Sequence, residues 1–392
     1  MTFNEKISNY IHQLKEKGEY KRIQTLLSAQ DAQVEMKGYD KVMVFSSNNY
    51  LGLANESSVK DAMKKSIDVY GAGTASVRFI CGTLGIHQQL EQATADLVGT
   101  EAATTYASCW NANEAVFQTL FGEGDILISD ALNHASIIDG MRLAKKVDKK
   151  VYQHSDMNHL ENILKESSAY ENRVIITDGV FSMEGDIAKL PEIIALAKKY
   201  NAIIVIDDSH STGVLGATGR GTAEHFDLMG QVDIITGTYG KALGGAAGGF
   251  IAGKKDVVDY CVQQSRPQLF SNALPPAVAA SALQAIQILV REPERVEKLR
   301  NNAKYFRRRI KDKGLNPLEG DTPIVPIIVG ETSLAIKMSE RLLEEGLFVT
   351  GFGFPVVPKG EARLRIQISS AHNKELMDQA IEKIANVYAQ LN

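Results

Sequence analysis

The chain has 392 residues, of which 44% are hydrophobic and 23% charged, with a formal net charge of −4. That length supports one large domain with a sizeable core plus a smaller one, and the charge gives no general pull toward nucleic acid or an anionic membrane. Three scattered cysteines, Cys81, Cys109 and Cys261, form no C-x-x-C pair, which excludes a disulfide framework and points to a reducing, cytoplasmic setting.

Residues 1–45 predict an amphipathic helix and a short hairpin, and "MTFNEKISNYIHQLKEKGEY" lacks a signal-peptide core. Residues 46–290 predict a large domain in which short apolar runs alternate with helical patterns. "DILIS" (Asp125 to Ser129), "RVIITD" (Arg173 to Asp178), "AIIVID" (Ala202 to Asp207) and "VDIIT" (Val232 to Thr236) read as buried strands, being brief, β-branched and bounded by polar residues or glycine. Between them, "HASIIDGMRLAKK", "DMNHLENILKES" and "KLPEIIALAKKYN" read as helices. Asp156 is placed to cap the second, and Pro191 sits in the first turn of the third. Strand and helix alternating at this spacing predict a mostly parallel sheet. "PAVAASALQAIQILV" (Pro276 to Val290) is too short to span a bilayer and reads as a buried helix. Residues 291–392 predict a smaller α+β domain: a charged helix over 293–313, the strand "TPIVPIIVG", a helix over 333–345, the strand "EARLRIQIS" and a last helix over 373–391. The basic run "KYFRRRIKDK" (Lys304 to Lys313) reads as a solvated helix face.

One lysine stands apart from this pattern. "TGTYGKALGG" (Thr236 to Gly245) sets Lys241 among small residues, as a phosphate loop, a reactive amine or a plain turn would. A Walker A loop is excluded, because Ala242 follows Lys241 and Ile235 stands where the first glycine belongs. "GAGTAS" (Gly71 to Ser76) fails the dinucleotide fingerprint, and "DDSH" (Asp207 to His210) has nothing nearby to complete a metal shell. That leaves a lysine whose amine sheds its proton in a partly desolvated site. Asp207 ends a buried strand, where ligand sites of open α/β sheets lie, and suits a protonated pyridine nitrogen; turn formation is its alternative use. His210 follows three residues on, His134 follows a second strand end, and Ser182 a third. Cys109 and Trp110 open a helix whose first amides can hold a phosphate, and Thr238 can add a hydroxyl.

The ordered set "SSNNYLGL", "GAGTASVRFICGT", "ASCWNAN", "SDALNHASIIDG", "TDGVFSMEGDIA", "IDDSHSTGVLGATGRGT", "GTYGKALGG", "SRPQLFSNALPPA" and "ARLRIQISSAH" resembles the α-oxoamine synthases from about residue 20 to the end. The resemblance implies an α/β fold of fold-type I, like aspartate aminotransferase, with a large, mostly parallel seven-stranded sheet and a small C-terminal α+β domain. It implies pyridoxal 5′-phosphate (PLP) as cofactor, with Lys241 as its covalent anchor and later a base. It further implies Asp207 at the pyridinium nitrogen, His210 near the ring hydroxyl, His134 stacked on the ring and Ser182 beside it. Cys109, Trp110 and Thr238 would bind the phosphate, while Arg365, assisted by Asn48, would take the substrate carboxylate. Ser271 and Asn272 resemble the stretch that reaches a neighbouring subunit's cofactor, which implies a homodimer with shared active sites. "SVRFICGT", "SDALNHASIIDG", "GKALGG" and "VTGFGFPVVPKGEAR" are most similar to the branch that condenses glycine with acetyl-CoA; branches using longer acyl thioesters are the alternative. Tyr239 and Trp110 depart from the usual pattern without removing a reacting group. Arg363 is expected to be an exposed strand charge.

Overall fold

The computed structural model describes residues 1–16, 20, 23–354 and 356–391. Part of the quoted N-terminal stretch (17–19) and Pro355 of "VTGFGFPVVPKGEAR" lie outside the described residues. A helix over Phe3–Glu16, none of it buried, precedes an antiparallel hairpin of β1 (Gln33–Met36) and β2 (Tyr39–Val44).

Seven strands build the central sheet: β3 (Ala102–Tyr106), β4 (Ile126–Asp130), β5 (Asp148–Tyr152), β6 (Arg173–Asp178), β7 (Ala202–Asp207), β8 (Ile234–Thr238) and β9 (Gly249–Gly253). Their spatial order is β3-β9-β8-β7-β6-β4-β5. β9 runs antiparallel to both neighbours, and every other pairing is parallel. β6 and β7 fall on the residues expected, because three or four consecutive apolar or β-branched side chains in each are buried on both sheet faces. β5, with Asp148, Lys149 and Lys150, lies at a sheet edge where only Tyr152 is buried, so it carries no apolar run to reveal it.

Local signals set the helix ends. Asp156 caps the helix Met157–Glu166 by accepting from the His159 N–H at 3.0 Å, and Pro191 sits in the first turn of Leu190–Tyr200. Pro276–Arg291 buries nine side chains inside the fold. Among the described residues, no helix is long and apolar enough to cross a membrane.

The C-terminal third contributes β10 (Ile324–Gly330), β11 (Leu347–Phe348), β12 (Thr350–Phe352) and β13 (Ala362–Gln367). β13 lies between β10 and β12 in one antiparallel sheet. β11 instead pairs in parallel with β2, so the N-terminal hairpin is welded to the C-terminal segment. One hydrophobic cluster runs from Met43 to Val387.

Two charge expectations are corrected. Arg307, in the basic run, is buried and donates to the carbonyls of Leu318, Thr322 and Ile324. Arg363 is 1% exposed, because its guanidinium is held against Glu184, Glu361 and the Met183 carbonyl.

Candidate active site

The carboxyl ends of β4, β6, β7 and β8 bring four sequence-distant segments to one rim. Asp207, the last residue of β7, is 5% exposed. Its Oδ1 accepts from the Ser209 N–H at 2.9 Å, the turn use, while Oδ2 accepts from Asn113 Nδ2 at 2.7 Å. Asn113 in turn lies 2.8 Å from the hydroxyls of Thr236 and Ser136. Cys109 Sγ points at the same Oδ2 at 3.7 Å and accepts from the Ser209 hydroxyl at 3.2 Å. Asp207 is thus braced from one side in a fixed orientation, as an acceptor for a ring N–H requires.

Cys109 and Trp110 form the first turn of the helix Cys109–Leu120, where backbone amides have no intrahelical acceptors. Ser108 caps the helix by accepting from the Asn111 N–H at 3.2 Å. β9 passes so close that a Cβ at Gly249 would lie 2.3 Å from the Cys109 nitrogen, so only glycine fits. Thr238, at the end of β8, donates to the Gly248 carbonyl at 3.0 Å and accepts from the Gly240 N–H at 3.1 Å.

Lys241 is half-buried and, among the described residues, its ammonium has no hydrogen-bond or ion-pair partner. Burial pushes its pKa down and Arg365 adds to this, while Asp207, Cys109 and Asp178 pull the other way. The two glycines that close the stretch are required by the backbone. Gly244 and Gly245 have φ of +94° and +70°, and a Cβ would meet Ser281 at 2.8 Å and Ala54 at 3.0 Å respectively.

His134 caps the helix Ala135–Leu143. Its Nδ1 accepts from the Ser136 N–H at 3.2 Å, and its own N–H donates to Asp178 at 2.9 Å. Trp110 meets the imidazole edge-on with centroids 6.1 Å apart. Burial lowers the His134 pKa, against Asp207. His210, 7% exposed, is bonded through Nδ1 to the Tyr50 hydroxyl at 2.8 Å. Ser182 occupies the turn after β6 and is half-buried.

Arg365 closes the site from β13. Its guanidinium lies over Phe352, 6.0 Å from the ring centroid, and reaches the Gln367 amide at 2.6 Å. Asn48 lies 2.8 Å from the same amide. Among the described residues Arg365 has no ion pair, and its Nε is buried with no acceptor. An unpaired buried guanidinium is costly, so this one is built for an incoming anion. Two residues earlier on the strand, Arg363 is bonded to Glu184 at 3.2 Å and Glu361 at 3.1 Å. Ser271 and Asn272 are exposed and are not brought to this cluster within the chain.

An orphan amine, a braced carboxylate, a capped helix start and an unpaired arginine on one rim fit PLP and an amino acid carboxylate. Tyr50, Asn113, Ser136, Asp178, Gln367 and the Arg363–Glu184 pair were not singled out from sequence. Some signal existed: Tyr50 follows Asn48 in "SSNNYLGL", and Asn113 stands one helical turn after Cys109.

The chain matches the family described as aminotransferase class I and II over residues 40–384. It is 46% identical to an 8-amino-7-oxononanoate synthase of Thermoanaerobacter pseudethanolicus, covering 98% of this chain and 97% of that one. It is 45% identical to a 2-amino-3-ketobutyrate coenzyme A ligase of Escherichia coli K12, covering 99% and 98%. The fold superposes on a serine palmitoyltransferase from S. paucimobilis, solved with bound PLP–myriocin. There the TM-score is 0.94 at 28% identity, covering 100% of this chain and 99% of that one.

Proposed function

The chain belongs to the class I and II aminotransferase family, in its α-oxoamine synthase branch, a group of PLP-dependent acyltransferases; from that premise we propose that it joins glycine and acetyl-CoA to give 2-amino-3-oxobutanoate and free CoA. The observation that carries this reading is that, among the described residues, neither the Lys241 amine nor the Arg365 guanidinium has an ion-pair partner, while Arg365 Nε is buried without an acceptor.

PLP bound at this rim supplies an electron sink for the negative charge left at Cα when the amino acid loses a proton. Asp207 would accept the N–H of the ring nitrogen and so keep it protonated. Cys109 and Trp110 would offer backbone N–H groups, and Thr238 its hydroxyl, to the phosphate. His134, Ser182 and His210 would line the ring. Lys241 would hold the cofactor covalently, and its Nζ would serve as the base for the Cα proton; burial lowers its pKa toward that task. Arg365 grips the glycine carboxylate through two N–H groups, with Asn48 beside it. The Cα carbon then attacks the thioester carbonyl, and CoA departs as the thiol. Ser271 and Asn272, exposed on this chain, reach the cofactor of a second copy in a homodimer.

A second reading uses a longer acyl thioester and is favoured by the 46% identity to a protein named 8-amino-7-oxononanoate synthase. The two are separated by thiol release across acetyl, succinyl, pimeloyl and palmitoyl thioesters, each with glycine and with serine. The expected result is the highest kcat/KM for acetyl-CoA with glycine. A higher value for pimeloyl thioester selects the second reading, and equal or better turnover of palmitoyl-CoA with serine overturns the acetyl assignment.

A further inference from the structure

Tyr50, 0% exposed, lies between His210 Nδ1 at 2.8 Å and the Gln367 amide at 2.6 Å. Gln367 also meets Arg365, with Nη2 at 2.6 Å and Nη1 at 3.1 Å. The direction of every bond in this chain follows from one end. A guanidinium offers only donors, so the Gln367 atom facing Arg365 is the oxygen. The opposite end of that amide is NH2, which donates to the Tyr50 oxygen. Arg365 also donates to the Tyr50 oxygen directly, so both of these neighbours are donors; Tyr50 has a single O–H proton, and the neighbour left to accept it is His210 Nδ1. Nδ1 must therefore present a lone pair, and a neutral His210 carries its proton on Nε2. Burial, together with Lys241, Arg365 and His134, keeps His210 neutral by pushing its pKa well down, and burial keeps Tyr50 protonated by pushing its pKa up. Asn48, 2.8 Å from the Gln367 amide, completes the oxygen's coordination when it donates through its own nitrogen.

We propose that Tyr50 and Gln367 are positioning residues that transmit the donor-only character of Arg365 to His210 and lock its Nε2–H tautomer. The group that grips the substrate carboxylate thereby also fixes which imidazole nitrogen is a donor toward the cofactor ring. The inference rests on the roles proposed above for Arg365 and His210, but the bond directions do not depend on the acyl donor. Fully buried amide and phenol groups are otherwise an expensive way to fill the space behind a histidine.

The test is histidine-selective 15N NMR of the protein with and without PLP, with the His210 signals assigned by their loss in His210→Asn. In the unmodified chain, Nδ1 of His210 is expected to be the unprotonated nitrogen and Nε2 the protonated one. Gln367→Glu places an acceptor opposite the Tyr50 hydroxyl. The phenol then turns its proton to the carboxylate and its lone pair to His210, and the imidazole proton is expected to shift to Nδ1. Tyr50→Phe, which removes the link to His210, is expected to leave a mixture of tautomers, and Gln367→Leu, which keeps the direct contact of Arg365 with Tyr50, a smaller shift in the same direction, both with PLP absorbance retained. A purely structural role would move stability and leave the tautomer alone. Nδ1–H in the unmodified chain, or an unchanged Nε2–H signature in all three variants, overturns the proposal. Rejection of acetyl-CoA alongside an inverted tautomer in Gln367→Glu would overturn the proposed substrate while this relay stands.

Discussion

Two charged clusters occupy the same rim of the central sheet. In one, His154 bonds Asp130 through Nδ1 and Asp186 through Nε2, both at 2.9 Å, and the N–H groups of Leu132 and Ser155 add to Asp130. In the other, neither Lys241 nor Arg365 has an ion-pair partner among the described residues. Both clusters place ionisable side chains around the same sheet rim. The first has its counter-charges inside the fold, so it ties three loops together; the second leaves cations that only a ligand can complete. β13 repeats the contrast over two residues, with Arg363 satisfied by Glu184 and Glu361 and Arg365 left open. Charge at a sheet rim does not mark a site; incomplete pairing does.

The largest effect that would break this contrast is at Lys241. Lys241→Ala is expected to reduce thiol release by about 10²–10⁴-fold or more and to abolish the borohydride-reducible adduct with PLP. An adduct that survives on another lysine would show that the open cluster was misplaced. The arginines come next. Arg365→Ala is expected to raise the glycine KM and lower kcat/KM by roughly 100-fold, as for loss of a buried charge-assisted grip of about 3 kcal/mol, with no loss of melting temperature. Arg363→Ala is expected to do the reverse. It strands Glu184, only 21% exposed, at a cost of about 3–5 kcal/mol, and should lower the melting temperature by several degrees while changing glycine KM little. Exchanged phenotypes would refute the assignment of the two arginines.

The smallest effect is on pH dependence. Burial opposes charge on His154, but hydrogen bonds to Asp130 and Asp186 overcome it and raise the pKa from 6.5 to about 10. A raised folded pKa gives stability that is fully present below about pH 6.5 and lost as pH rises through about 10. Melting temperature should therefore fall across pH 7 to 10, and the fall should be shallower in His154→Gln. Parallel slopes for the two proteins would show that the closed cluster contributes nothing.

The sequence displayed what is repeated or covalently implied. β6 and β7 could be read to the residue because their apolar runs, Val174 to Ile176 and Ala202 to Ile206, are uninterrupted and each strand ends at an aspartate. Lys241, Asp207, His134, His210 and Arg365 could be proposed from sequence because the ordered motifs around them together resemble one family, although the lysine stretch and Asp207 taken singly have other uses. β5 and the short β11 and β12 were not legible, since charge on an edge strand and two or three residues of extended chain leave no pattern. Arg363 differs from expectation because a charged strand residue looks solvent-facing until its partner Glu184, 179 positions away in sequence, is known. Tyr50 and Gln367 were missed for a related reason. Their meaning lies in partners that meet only when the two ends of the chain meet.

That meeting also imposes an order on how the molecule is made. Asn48 and Gln367 are 319 positions apart, yet their amides touch, and the Gln367 N–H donates to the Phe45 carbonyl at 2.7 Å. On the ribosome, residues 45–50 emerge early and wait for almost the whole chain before their wall of the pocket exists. Long-range closure of this kind is slow and leaves apolar surface uncovered meanwhile. Phe45, Tyr50 and Leu51, all 0% exposed once folded, are therefore apolar surface that the nascent chain cannot fully cover until β13 is released.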